Sequence, residues 1–189
     1  LREKERKKSS FKLFLFFDLR YNWGMRQGMT LIELMVVILI IGILATIVSF
    51  ALTKAYELSY TAQAKEEFNS VRNSVEMYVD DHGGYPPDTN RDIPPGLESY
   101  LAPGLWPDAA WPGSVFDWEN WTDPETVEKI YQISIRFCPL GDPSGCRFPK
   151  QGWAEDFDYY SSVYYCISGP CRSHIDRPIN HPGYCVNCN

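Results

Sequence analysis

Hydrophobic positions change rhythm along the chain, and each change marks a boundary. From Leu34 to Thr53 twenty consecutive residues carry no charge, most of them Leu, Ile, Val, Met or Ala. From Lys54 onward only one face stays apolar: Ala64, Phe68, Val71, Val75 and Tyr78 recur every three or four residues, while Lys65, Glu66, Glu67, Arg72 and Glu76 fall elsewhere on the wheel. Gly42 is the only glycine between Met29 and His82, and all fourteen prolines lie at Pro86 or later. Both segments therefore read as one helix, about 80 Å long at 1.5 Å per residue and too long for so small a domain to wrap around. It should stop at "DDHGGYPP", where Gly83 can take a left-handed C-cap and Pro86 and Pro87 forbid continuation.

After Gly83 the period falls to two. "IYQISIRFC" alternates Tyr131, Ile133, Ile135 and Phe137 with Gln132, Ser134 and Arg136, the pattern of a half-buried strand. "YYSSVYYCIS" is a second, with Val163, Tyr165 and Ile167 on one face, and short runs near Tyr184 offer another. With no crossover helices between them the strands should be antiparallel. Residues 85–123, rich in proline, read as mostly loop with a short helix at "GLESYL". The fold class is α+β: a long N-terminal helix continuing into a small antiparallel-sheet domain. No internal repeat is visible.

Charge sharpens the division. Residues 1–28 carry eight Lys/Arg against three Asp/Glu, and residues 29–189 carry ten against twenty-one. A helix of twenty uncharged residues covers about 30 Å, the hydrocarbon thickness of a bilayer. By the positive-inside rule the basic end stays in the cytoplasm and the acidic remainder is exported across the inner membrane. So acidic a body excludes nucleic acid as a partner.

All six cysteines, Cys138, Cys146, Cys166, Cys171, Cys185 and Cys188, fall in the exported part, where an even number reads as three disulfides. Spacing favours one pairing, Cys138 with Cys146 across the turn "PLGDPSG", and leaves the others open. The rival is a zinc site at Cys166, Cys171, Cys185 and Cys188, with His174 and His181 nearby. The three histidines lie at a helix end or in loops and no nucleophile motif accompanies them, so neither an enzyme nor a cofactor is expected. Trp106, Trp111, Trp118, Trp121 and Trp153 either fill a core poor in aliphatic residues or form a stacking platform for sugars.

Glu33 stands just before the uncharged run. A secretory cleavage site at Ser49-Phe50-Ala51 would release a soluble, surface-binding domain but leaves this carboxylate unexplained. A cut between Gly28 and Met29 instead retains the span and makes Glu33 the fifth residue of the mature chain.

The stretch "GMTLIELMVVILIIGILATI" resembles the class III leader and first helix of type IV pilins and type II secretion pseudopilins. The resemblance implies cleavage after Gly28 by a prepilin peptidase, N-methylation of Met29, and assembly into a helical filament through the apolar helix, driven by a platform protein and an assembly ATPase. The family more often has Phe where Met29 stands. Glu33 would pair with the α-amino group of a neighbouring subunit. A weaker resemblance covers "EEFNSVRNSVEMYVDDHGGYPPDTNRDIPPGLESYL". The acidic calcium loop of the major pseudopilin has no match, so Asp142, Asp156 and Asp158 read as solvated loop residues. The resulting division is leader 1–28, membrane and filament-core helix 29–53, amphipathic continuation 54–82, and exported domain 83–189. "MRQG" from Met25 would be a complete leader, which leaves residues 1–24 as either upstream sequence read into the protein or a long leader. Major pilin, minor pilin and pseudopilin all remain open.

Overall fold

A computed structural model describes residues 28–174 and 181–188; the expected leader up to Gln27 lies outside them. Helix α1 runs Leu31–His82 without interruption. The chain divides into two units, residues 1–45 and 46–189. In the first, every described residue is exposed. This is also the one helix, among the described residues, long and apolar enough to cross a membrane.

The second unit is built on the amphipathic stripe. Ala64, Phe68, Val71 and Val75 are buried, with Ser74 beside them bonding the carbonyl of Tyr100 at 3.0 Å. They pack against Phe116, Trp118, Ile133, Ile135 and Val163 from the sheet, and Phe68 meets Phe116 edge-on at 5.7 Å. Burying each large side chain of this contact contributes about 1.5–3 kcal/mol. The helix ends where the glycine pattern placed its end: Gly83 has φ +71° and its N–H bonds the carbonyl of Val79 at 2.8 Å.

The sheet has strand order β1-β2-β3-β4, with β1 Val115–Thr122, β2 Lys129–Arg136, β3 Ser162–Ser168 and β4 Gly183–Cys185. β1 pairs antiparallel with β2 over its whole length, and β2 with β3, with a bulge at Tyr131/Gln132. Three expectations need correction. β4 is parallel to β3, and the chain between them, residues 169–182, is long enough for the return that a parallel pairing needs. β1 lies in the stretch assigned to loop. β2 is not half-buried: Gln132 and Ser134 are fully enclosed and Arg136 nearly so. Its polar face is covered by residues 172–173, where Gln132 donates to the carbonyl of Arg172 at 2.7 Å and accepts from its N–H at 3.1 Å. "GLESYL" supplies a single 3₁₀ turn, Leu97–Ser99.

The tryptophans go to the interior. Trp111 and Trp118 belong to the core, Trp106 and Trp153 pack against it, and Trp121 is buried on the opposite face beneath the Arg172 guanidinium. Disulfides join Cys138 to Cys146, Cys166 to Cys171 and Cys185 to Cys188. Each closes a local loop.

Candidate functional site

At the start of α1, Thr30 and Glu33 hold each other. The Thr30 backbone N–H and its hydroxyl each donate to Glu33 Oε2 at 2.8 Å, and the Glu33 N–H donates to Thr30 Oγ1 at 3.3 Å. This is a capping box, in which a hydroxyl and a carboxylate three residues apart satisfy backbone donors that the first helical turn leaves unpaired. The negative charge also lies at the positive end of the helix dipole. The signal is present in the sequence as Thr-x-x-Glu. Both bonds fall on Oε2; among the described residues Oε1 accepts none, so the carboxylate keeps capacity for one further donor.

Gly28 and Met29 precede the helix. A Cβ built on Gly28 would meet no atom within 4 Å, and Met29 is 61% exposed. The bond between them is exposed and non-helical. Behind them α1 shows its apolar side chains on all sides, up to Phe50 at 81% exposure. Thr53 returns its hydroxyl to the carbonyl of Ser49 at 3.1 Å, the way a polar side chain is satisfied within a helix when no water is at hand.

A second polar centre lies on the outer face of the sheet. Arg136 on β2 reaches Asp117 at 2.9 Å and also Glu119, both on β1, and donates to the carbonyls of Tyr160 at 2.8 Å and Ser173 at 2.9 Å. Asp117 accepts the N–H of Arg91 at 2.7 Å, and Asp88 accepts that of Asn120 at 2.6 Å. Burial pushes Glu119 up to about 7, against the pull of the Arg136 charge, and burial raises Asp88 as well. Every donor of this cluster goes to the protein's own backbone or carboxylates, so it ties β1, β2 and the segments at 160 and 173 together. It has the bonding of a structural clasp.

The acidic loop residues are partly employed. Asp142 caps the turn Pro143–Gly145 through the Ser144 N–H at 2.9 Å, and those bonds hold its carboxyl below the usual range. Asp158 accepts from Ser161 and faces His181 Nδ1 at 2.9 Å, which corrects the expectation of a merely solvated residue; Asp156 is exposed. The four cysteines of the zinc alternative sit in two disulfides. Among the described residues no group of three or more His, Cys, Asp or Glu is arranged to hold a metal.

Residues 23–49 match the family described as the prokaryotic N-terminal methylation motif. The chain therefore carries the N-terminal segment of type IV pilins and pseudopilins. Thr30, Glu33 and the Gly28–Met29 bond all fall within it. The chain is also 41% identical over 86 residues to the type II secretion system core protein G of Escherichia coli (strain K12), a match covering 45% of this chain. It spans 56% of that relative's length. No solved structure matches the chain. Members of the pilin and pseudopilin family are structural subunits and not enzymes.

Proposed function

We propose that the protein is a subunit of a type IV pilus-like filament, made as a single-pass inner-membrane precursor, cut after Gly28, methylated on Met29 and assembled through α1. The observation that carries this reading is a carboxylate fixed at the mouth of an apolar helix whose described residues 28–50 are all exposed. In the membrane, lipid covers that helix. In a filament the same surface packs against other copies, and apolar contacts alone leave their register free. Glu33 supplies the register: Oε2 stays on Thr30 while Oε1 takes the α-amino group of a neighbour.

The experiment is Glu33→Leu. The substitution makes the span more apolar, so insertion and cleavage at Gly28 stay normal. Filament yield falls at least tenfold, because the neighbour's amine is left without its counter-charge. Mature chains should begin at Met29 by N-terminal sequencing; a start at Leu52 would overturn the reading. A second reading, a pseudopilin of a type II secretion system, is favoured by the match to core protein G. Secretin and secretion-ATPase genes beside this one would decide for it.

A further inference from the structure

Lys54 is the first charge after the uncharged run, so if residues 34–53 fill the hydrocarbon, residues 53–60 lie at headgroup depth. Here the second unit forms a groove, lined on the helix side by Thr53, Tyr56, Glu57 and Tyr60, and on the loop side by Trp111, Arg147, Phe148 and Lys150. A shallower cleft beside it is lined by Lys54, Glu57, Lys150 and Trp153. We propose that this basic and aromatic groove binds the phosphate of an anionic phospholipid in the exported leaflet. The inference rests on the reading of α1 as a membrane span.

Three observations carry it. First, the loop is fastened to the helix at this level: Gln151 Nε2 donates to the carbonyl of Glu57 at 3.1 Å and to Thr61 Oγ1 at 3.4 Å. The Cys138–Cys146 disulfide and the bond from the Arg147 N–H to the carbonyl of Phe137, at 3.0 Å, hold its other end. The groove is thus braced by the chain's own bonds. Second, its cations are unspent. Arg72, Arg136 and Arg172 are each paired with a carboxylate, whereas among the described residues Lys54, Arg147 and Lys150 form no ion pair, and Glu57 is the one acid lining either cleft. Three cations against one acid stand out in a body where acids outnumber bases two to one. Third, Tyr56 is 61% exposed beside them, with Tyr60, Trp111 and Trp153 behind, the aromatic side chains that favour the membrane–water boundary. An acidic domain held against an anionic leaflet is repelled, and cations at its near edge convert that repulsion into a contact.

Native mass spectrometry of the full chain, released from detergent with equimolar phosphatidylglycerol and phosphatidylcholine, tests the proposal. Phosphatidylglycerol should be retained preferentially, and Arg147→Gln with Lys150→Gln should weaken its retention about 25-fold, or about fivefold for each cation. Unchanged resistance of all six cysteines to alkylation shows that the double variant is folded. Lys129→Gln, a cation distant from the groove in sequence and not among its lining residues, should change nothing. Equal retention of both lipids, full retention by the double variant, displacement by inorganic phosphate, or a groove protected only on self-association of the chain would each overturn the headgroup site. Resistance of the chain to alkaline carbonate extraction is read separately: a chain stripped from the membrane overturns the span, while an integral chain without lipid preference overturns the groove alone.

Discussion

Glu33 and Glu119 are two carboxylates held by opposite means. Glu33 bonds a residue three positions before it, on a stretch of helix whose described residues are all exposed. Glu119 is gripped by Arg136 across two strands and by the Trp121 indole at 3.1 Å, and it is enclosed only once the segments at 160 and 173 have closed over the sheet. A local bond is available to the helix before the domain folds and survives whatever the domain does. A long-range cluster exists only in the finished domain. Changes in the first region should therefore alter assembly and spare the fold, and changes in the second should do the reverse.

The largest effect tests the second half of that statement. Arg136→Met leaves Asp117 and Glu119 buried without their cation and should destabilise the domain by about 3–5 kcal/mol. Chemical denaturation with the disulfides intact measures it. Replacing all three groups by apolar residues of similar volume should restore most of that loss, since the desolvation of the charges disappears with them. Failure of the triple variant to recover would show that the clasp sets the positions of the outer segments as well as balancing charge.

Next in size is a pH effect on the same cluster. The folded pKa of Glu119, about 7, lies above its ordinary value of 4.5, so between those limits the folded state binds a proton that the unfolded state releases. Stability contributed by this group is fully present below about 4.5 and is lost as pH rises toward 7. Asp88, raised by the same burial, acts in the same direction. The domain should be more stable near pH 5 than at pH 7.5, by about 2–3 kcal/mol. Glu119→Gln should flatten the profile, and a profile rising through this window would show that the Arg136 pairing outweighs burial.

These two predictions concern the part of the molecule the sequence showed least well. The stripe from Ala64 to Tyr78, the helix stop at Gly83 and the strands at 130 and 162 were legible because apolar periodicity and glycine chemistry are local signals. β1 was not. Its sequence, "VFDWENWT", alternates, but Asp117 and Glu119 on the outward face read as solvent-facing residues in a proline-rich loop. Their burial depends on Arg136, nineteen and seventeen residues further along, and on a covering segment still more distant. The same fact hid the two-sided burial of β2. At the candidate site the opposite error occurred: Glu33 was singled out, yet its nearest partner was overlooked although it stood three residues away.

The disulfides give a smaller and more evenly spread effect. With sequence separations of 8, 5 and 3 residues they close short loops, and removing any one should cost about 1.5–2.5 kcal/mol. Alkylation without reduction should label no cysteine. Labelling of Cys166, Cys171, Cys185 and Cys188 only after chelation would point to zinc in place of two of the bridges.

The smallest effect bears most directly on what Glu33 is for. Thr30→Ala removes the hydroxyl from the capping box and should weaken the first turn of α1 by about 1 kcal/mol, while Thr30→Ser retains it. Hydrogen exchange at the amides of residues 31–34 in the detergent-solubilised chain should quicken about fivefold for the alanine variant only, with exchange in β2 unchanged. Filament yield then separates the two uses of the carboxylate. If Glu33 served its own helix alone, Thr30→Ala and Glu33→Leu would lower yield to a similar degree, since each breaks the same box. If Oε1 also meets a neighbour's amine, Thr30→Ala leaves that charge pair in place and lowers yield only slightly, whereas Glu33→Leu abolishes it. Equal losses in the two variants would return Glu33 to a helix cap and nothing more.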